Sequence, residues 1–192
     1  MEDDSRIPGR PRDEAAGPAI LEAARTLVLA RGYNDVSVSE IIRNAGVSRQ
    51  TLYRRWSTKA DLVLDAFFDS AVSAPDIHAD QTVRAAVLDF LIRLFAQLNH
   101  DGGAIRSLIA AAVTDPEFGK GFQQKFVAPR ERMVIIALEV AKKRGELPGK
   151  LDVRLMATVL HGAFWYRLLN EMPLNAEFAE GLVGVVFKGP YT

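Results

Sequence analysis

The sequence predicts an all-α fold, with an N-terminal helix-turn-helix unit and a C-terminal helical bundle. From Gln81 to the end of the chain, apolar residues recur at helical spacing, and no stretch alternates as a half-buried strand does. Residues 37–59, SVSEIIRNAGVSRQTLYRRWSTK, carry closely spaced helix start and stop signals. A length of 192 residues suits one helical body or two small cores.

Composition excludes several classes of protein. The chain has 24 basic and 24 acidic residues, so net charge does not indicate a partner. It has no cysteine, which excludes disulfides, thiol redox sensing and cysteine-ligated zinc. No apolar run approaches the roughly 18 residues of a membrane span, and the acidic start, Met1 to Asp4, does not resemble a secretory signal. We therefore expect a cytoplasmic protein with no membrane partner.

The N-terminal region divides into an arm and a first helix. Residues 1–12 are polar and interrupted by prolines, which predicts a flexible arm. Its arginines could reach a DNA minor groove, or the arm could be an idle tail. A first helix is expected from Asp13 or Pro18 to Ala30, with Gly32 ending it. Its apolar stripe is formed by Ile20, Leu21, Ala24, Leu27, Val28 and Leu29.

Two short helices and a connecting helix follow. Ser37 and Glu40 form a predicted capping box, and Gly46 suits the left-handed residue that ends the helix. Ser48 caps the second helix, in which Leu52 points inward. Thr58 caps a connecting helix, residues 59–74, that ends before Pro75. These signals define a helix-turn-helix domain over residues 13–58.

The second helix of this unit has the chemistry of a DNA-reading element. Between Arg43 and Lys59 there are five cations and no carboxylate. Arg49, Gln50 and Thr51 lie at its N-terminal end, where side chains reach base edges. Tyr53 and the following cations suit phosphate contacts. The predicted DNA-binding residues are Ser37, Ser39, Ser48, Arg49, Gln50, Thr51, Tyr53, Arg54, Arg55 and Lys59.

At these residues a family resemblance becomes specific. Ala45-Gly46-Val47-Ser48, Thr51-Leu52-Tyr53 and Thr58-Lys59-Ala60-Asp61-Leu62 resemble the DNA-binding domain of the tetracycline-repressor (TetR) family, over about Ala15 to Phe67. The resemblance implies an all-helical, usually dimeric repressor that responds to a ligand. It also implies base contacts from Arg49, Gln50 and Thr51, and phosphate contacts from Tyr53 and Lys59. Gln50 and Ile42 depart from the family's commonest residues, a glycine and a small side chain.

The remaining residues, 75–192, are predicted to form a ligand-binding and dimerisation domain. We expect helices over Thr82–His100 and Ala104–Val113, separated by Gly102-Gly103. Another should start after Asp115-Pro116, bend or restart at Pro129, and end before Gly145. The last two should run from Val153 to Asn170 and from Asn175 to near Lys188.

The C-terminal helices resemble the TetR regulatory domain, in which the last two long helices form a four-helix interface between subunits. The resemblance rests on Arg144-Gly145-Glu146-Leu147, Asp152 and the segment Leu160–Leu169. A monomer would expose two apolar stripes that a symmetric homodimer buries. The predicted interface residues are Val159, Gly162, Ala163, Tyr166, Phe178, Leu182, Val185 and Val186.

The resemblance also implies a pocket for a small-molecule effector. Ligand sites are mostly apolar with a few placed polar groups. For each aromatic residue taken singly, ordinary core packing is the better explanation. The predicted pocket residues are Phe90, Leu94, Phe122, Phe126, Met133, His161 and Trp165.

No catalytic, metal or cofactor site is predicted. The three histidines lack metal-ligand spacing, and Gly119-Lys120-Gly121 lacks the rest of a phosphate loop. The sequence therefore predicts a regulator that binds operator DNA as a homodimer, a repressor relieved by an effector, and not an enzyme. The alternative is a helical protein-interaction module whose basic surface docks a partner without reading DNA sequence.

Overall fold

The computed structural model describes residues 11–69 and 74–188, and within these ranges it contains helices and no strand. The N-terminal helices are α1 (Pro11–Arg31), α2 (Val38–Ala45), α3 (Arg49–Tyr53) and α4 (Lys59–Asp69). The C-terminal helices are α5 (Val83–Thr114), α6 (Pro116–Phe122), α7 (Ala128–Lys143), α8 (Val153–Leu169) and α9 (Ala176–Lys188). A π-helical turn, Gln123–Val127, joins α6 to α7. None of the described helices is long and apolar enough to cross a bilayer.

Helix α1 begins earlier than predicted. It starts at Pro11, inside the predicted arm, and continues through Pro18. Proline is tolerated at the first helical position because its ring presets φ and its missing N–H would have no intrahelical partner there. Ile20, Ala24 and Val28 are fully buried, whereas Leu27 is half-buried. The rest of the predicted arm, residues 1–10, lies outside the described residues.

The local signals of the helix-turn-helix unit are confirmed. Ser37 Oγ accepts a hydrogen bond from the Glu40 N–H at 3.3 Å, and Glu40 Oε2 accepts one from the Ser37 N–H at 2.9 Å. Gly46 ends α2 with φ of 63°, a conformation in which a Cβ is strained. Ser48 Oγ accepts from the Thr51 N–H at 3.1 Å and caps α3. Leu52 is buried, as predicted.

The connecting helix is described only in part. Helix α4 starts at Lys59 as predicted, with Thr58 Oγ1 accepting from the Asp61 N–H at 3.0 Å. Its described backbone ends at Asp69, and residues 70–73 lie outside the described residues. The predicted end of this helix therefore stays a prediction.

The predicted break at Gly102-Gly103 is wrong, because α5 is one helix of 32 residues. Glycine in a helix interior costs about 1 kcal/mol relative to alanine, but tertiary contacts can outweigh this. Gly102 is buried, and a Cβ placed on it would lie 3.1 Å from Leu168 Cδ1. The absence of a side chain at Gly102 thus lets α8 approach α5 closely.

The remaining C-terminal boundaries agree with the sequence. Asp115 caps α6, with Pro116 as its first residue, and regular α-helix resumes at Ala128 beside Pro129. Gly145 follows α7 with φ of 73°. Asp152 Oδ1 caps α8 by accepting from the Arg154 and Leu155 N–H groups. Asn175 Oδ1 accepts from the Phe178 N–H at the start of α9.

The buried apolar residues form one continuous cluster that runs from α1 to α9. Helix α1 packs against α2, α4 and α5, while α5 packs against α6, α7, α8 and α9. Helix α4 contacts α6 and the π-helical turn. The helix-turn-helix unit and the C-terminal bundle therefore share a core through α1, α4 and α5.

A buried ion pair lies within that shared core. Arg25 of α1 donates to both carboxylate oxygens of Asp101 on α5, at 3.1 and 2.9 Å. The Asp101 side chain is 2% exposed and that of Arg25 is 18% exposed. Burial alone would raise the pKa of Asp101, but hydrogen bonds from His100 and Arg25 outweigh it and lower that pKa. The carboxylate is therefore ionised at neutral pH.

We expect Asp101→Asn to lower the free energy of unfolding by about 2–4 kcal/mol, because the substitution leaves the Arg25 charge poorly compensated. The estimate lies toward the lower end for buried pairs, since Arg25 keeps some contact with solvent. Urea unfolding at fixed protein concentration measures the change.

Asp89→Asn is the matched control, because Asp89 pairs with Arg93 at 3.0 Å on an exposed face of the same helix. Exposed pairs of this kind contribute about 0–1 kcal/mol. Equal losses for the two variants would contradict a structural role for the Arg25–Asp101 pair.

Candidate nucleic-acid interface and pocket

The first turn of α3 presents polar side chains outward. Arg49 and Gln50 are exposed, and the Arg49 guanidinium lies 5.5 Å from the ring centroid of Tyr53, which is also exposed. Thr51 is half-buried, and its hydroxyl lies 2.9 Å from Ser48 Oγ. Arg49 and Gln50 are thus available for base edges, while the Thr51 hydroxyl is already engaged in the cap.

The residues predicted to contact phosphates surround α3. Arg54 and Arg55 are exposed at its C-terminal end, and Ser37 and Ser39 are exposed at the start of α2. A Cβ on Gly17 of α1 would lie 3.3 Å from Arg55 Nη1, so the guanidinium of Arg55 rests against α1. The structure therefore gathers the predicted serines and arginines around the two short helices.

Lys59 is placed differently from the other predicted phosphate contacts. Its ammonium donates to the carbonyls of Tyr33 and Val36, at 2.8 and 2.9 Å, and lies 4.0 Å from the centroid of the Tyr33 ring. Burial lowers the pKa of Lys59. Two of its three donors hold the loop between α1 and α2, which leaves one for a phosphate oxygen. Its phosphate contact stays a prediction.

Hydrogen bonds tie α3 to the C-terminal bundle through three side chains that the sequence analysis did not single out: Trp56, Asp65 and Lys125. Trp56, just after α3, donates from Nε1 to Asp65 of α4 at 2.8 Å. Lys125, in the π-helical turn, donates to Asp61 and Asp65 at 3.2 and 3.1 Å. Asp61 and Asp65 are four residues apart, so they share one face of α4. This spacing is the feature of the sequence that could have indicated a site for a cationic partner.

A cleft in the C-terminal bundle collects most of the predicted pocket residues. It is lined by Phe90, Leu94, Phe126, Met133, His161 and Trp165, together with Phe67 of α4. Its empty space is about 690 Å³, part of it open to solvent. The prediction that Phe122 lines this cleft is wrong, since Phe122 is stacked on Phe126 with ring centroids 4.9 Å apart and also contacts Phe118. Phe122 belongs to the packing behind the cleft.

Four polar residues interrupt the apolar wall: Gln97, Asp101, Arg130 and His161. His161 Nδ1 lies 2.8 Å from the Ala157 carbonyl, so this nitrogen carries the proton and Nε2 is the acceptor. Burial lowers the pKa of His161, which keeps the ring neutral at pH 7. Arg130 donates to the carbonyls of Phe126 and Phe67, at 2.8 and 3.3 Å. Asp101 and Arg130 thus connect the cleft to α1 and α4.

The predicted dimer-interface residues do not share one outward face. On α8, Val159, Gly162 and Tyr166 are exposed and Ala163 is half-buried. Of the four predicted residues on α9, Val185 alone is exposed. Leu182 and Val186 are packed into the core of their own subunit, and Phe178 stacks on Phe95. The outward placement of Leu182 and Val186 is therefore corrected. The apolar side chains that remain exposed on these helices are Leu155, Val159, Tyr166, Leu169 and Val185.

Comparisons with known proteins agree with this architecture. Residues 20–66 match the family model for bacterial regulatory proteins of the tetR family, and residues 77–186 match the tetracyclin repressor-like C-terminal domain. The transcriptional regulator YdeS of Bacillus subtilis is 32% identical over 94% of this chain and 92% of its own length. The regulator EthR of Mycolicibacterium smegmatis is 25% identical over 94% of this chain and 82% of its own length. The crystal structure of the TetR family regulator SCO0332 superposes with a TM-score of 0.76 at 29% identity, covering 92% of this chain and 99% of that one.

The chain therefore belongs to the TetR family of DNA-binding transcriptional regulators. Helices α1 to α4 contain its DNA-binding unit, and the all-α fold predicted from the sequence is confirmed.

The capping box of α2 contains the Glu40 carboxylate, whose protonation affects the stability of the DNA-binding unit. Hydrogen bonds from the Ser37 backbone and the Arg31 side chain lower the pKa of Glu40 to about 2. A carboxylate whose pKa is lowered by folding stabilises the folded state above its unfolded pKa of 4.5, and this contribution disappears as pH falls toward 2.

We expect the melting temperature of the wild-type protein to fall more steeply between pH 4.5 and 2 than that of Glu40→Gln, whose side chain does not titrate. Thermal melts across this range measure the two slopes. Parallel slopes would show that the Glu40 carboxylate contributes nothing to acid stability.

Proposed function

We propose that the protein is a homodimeric repressor whose operator binding is relieved when a small molecule fills the cleft. The observation that carries the proposal is the position of α4. Lys59 at its start holds the loop before α2, and Phe67 near its end forms part of the cleft wall. One helix therefore contacts both the DNA-reading unit and the space where a ligand would bind.

The proposed DNA contacts are assigned from the exposure and chemistry of the side chains. We assign base contacts to Arg49 and Gln50, because both are exposed in the first turn of α3. We assign phosphate contacts to Ser37, Ser39, Tyr53, Arg54 and Arg55, and to the third donor of Lys59. Thr51 keeps its methyl group for a thymine contact, while Ser48 acts through the α3 cap.

The proposed mechanism is a shift of α4. An effector can change DNA affinity only if it binds one arrangement of the protein better than another. Phe67 of α4 forms part of the cleft wall, so a ligand that binds in the cleft contacts α4 directly. A ligand that displaces the Phe67 side chain would shift α4. Movement of α4 would change the spacing between the two reading helices of a dimer.

The homodimer is proposed from the exposed apolar face of α8 and α9, the dimer face, formed by Leu155, Val159, Tyr166, Leu169 and Val185. Tyr166 is 63% exposed and Leu155 is 54% exposed, values that are high for large apolar side chains. A Cβ at Gly162 would meet no atom within 4 Å, so a partner helix has room to approach there. A two-fold dimer would bury this face and position two copies of α3 about 34–36 Å apart.

We propose that the chain divides into a DNA-binding domain at residues 13–58, a connecting segment at residues 59–74 that begins with α4, and a ligand-binding and dimerisation domain at residues 75–192. The shared core through α1, α4 and α5 supports coupling between them.

For an operator recovered by selection from a randomised duplex library, we expect Gln50→Ala to relax preference at one base pair per half-site. A bidentate base contact contributes about 1–3 kcal/mol of discrimination. Arg54→Ala should instead weaken binding to all sequences alike and reduce the slope of the logarithm of affinity against the logarithm of salt concentration by about 1. Equilibrium binding to the operator and its single-base variants, at several salt concentrations, separates the two effects.

Recovery of no preferred sequence by the wild-type protein would contradict the proposed operator reading. It would favour a basic surface that docks another partner.

For the dimer, we expect Val159→Glu to raise the dissociation constant of the homodimer at least about tenfold, because a partner would have to bury an unpaired carboxylate. Sedimentation equilibrium measures this change. The matched control is Ile136→Glu, a similar substitution at an exposed position on α7, outside the dimer face. Identical self-association of the two variants would contradict the assigned face.

A further inference from the structure

Arg130 is a largely buried cation in the cleft wall. Its guanidinium donates from Nη1 to the Phe126 carbonyl at 2.8 Å and from Nη2 to the Phe67 carbonyl at 3.3 Å. It also lies 3.6 Å from the centroid of the Phe126 ring. One side chain thus contacts the cleft, the π-helical turn that holds Phe126, and α4.

Burial disfavours the charge on Arg130 but does not remove it. Desolvation lowers its pKa to about 10, which leaves the group protonated at neutral pH. The contacts described above are to neutral dipoles and an aromatic face. Hydrogen bonds from a guanidinium to a carboxylate are charge-assisted and roughly twice as strong as those between neutral groups. A carboxylate entering the cleft would therefore be a better acceptor than the carbonyls.

The other polar lining residues do not favour a cationic ligand. The Asp101 carboxylate accepts from Arg25 at 2.9 and 3.1 Å, and from Gln97 at 3.3 Å. A cationic ligand would have to compete with these donors, and with His100 at 2.6 Å, for the carboxylate oxygens. His161 is neutral and offers an acceptor at Nε2. Among the described lining residues, Arg130 is the one permanently charged cation.

The rest of the cleft would contact an apolar body. Phe90, Leu94, Phe164 and Trp165 line it, and Phe164 contacts the rings of both His161 and Trp165, at 5.2 and 5.7 Å between centroids. Apolar walls around one cationic group complement an amphipathic acid.

We propose that the effector is a monocarboxylic acid with an apolar chain or ring, and that Arg130 binds its carboxylate. This inference rests on the proposed function, since it assigns the chemistry of the ligand that relieves repression. The carboxylate draws the Arg130 guanidinium away from the Phe67 carbonyl. The end of α4 then loses a contact to α7, and the ligand binding energy is coupled to the position of the connecting helix.

The test compares acids with uncharged amides of the same shape. Decanoate against decanamide, and 4-phenylbutanoate against 4-phenylbutanamide, are titrated calorimetrically into the full-length protein without DNA. We expect at least one acid to bind at least about tenfold more tightly than its amide, because only the acid forms a charge-assisted pair. Arg130→Met should abolish that preference. Arg132→Met is the matched control, because Arg132 is exposed on the same helix, and it should keep the preference.

Two results would overturn the inference. One is equal affinity of acid and amide in the wild-type protein, which decides the matter even if Arg130→Met fails to fold. The other is no binding of any acid up to about 1 mM. Because these titrations contain no DNA, their failure is separate from a failure of operator selection. Hydrogen exchange of α4 provides the second readout: it should increase when the acid binds, and unchanged exchange would overturn the coupling to Phe67.

Discussion

The ion pair between Arg25 and Asp101 joins the DNA-reading end of the chain to the middle of its longest helix. Both oxygens of a carboxylate that is 2% exposed accept from one guanidinium, at 3.1 and 2.9 Å. Such a pair stabilises a fold only in one geometry, because separating the charges in a buried environment leaves each without compensation. It therefore fixes how α1 lies on α5. Helices α4 and α2 both pack on α1, and α3 packs on α2. The position of α3, the DNA-reading helix, therefore depends on how α1 lies on α5.

Residues that line the cleft also contact the helices of the DNA-binding unit. Asp101 and Arg130 both line the cleft, and they contact α1 and α4 through Arg25 and the Phe67 carbonyl, respectively. Lys125 adds a contact from the π-helical turn to Asp61 and Asp65 of α4. Single-turn π-helical insertions are frequent at functional sites, and here the insertion positions Phe126 in the cleft wall. A ligand that changes this wall acts on groups that already hold the DNA-binding unit, so no long pathway between distant sites is needed.

How much the sequence revealed depended on the range of the interaction. Caps and left-handed glycines depend on neighbours within a few residues, so Ser37, Gly46, Ser48, Asp115, Asp152 and Asn175 were all predictable. Gly102 was misjudged because its local signal is a helix break, while its packing partner, Leu168, is 66 positions away in the chain. Leu182 and Val186 were placed outward because helical periodicity identifies an apolar stripe and not the partner that covers it. Arg25 and Asp101 are separated by 76 positions, and nothing local pairs them.

The central claim is that cleft and reading helices move together through α4, and a distance between the two DNA-binding units of a dimer tests it most directly. The chain has no cysteine, so Asn44→Cys introduces a single spin-label site at an exposed position at the end of α2. Pulsed electron-spin distance measurements then compare the operator-bound dimer with the dimer released by a compound that lowers operator affinity. We expect a shift of several ångströms away from the separation that matches one DNA turn of about 34–36 Å. The same distance distribution in both states would contradict the account.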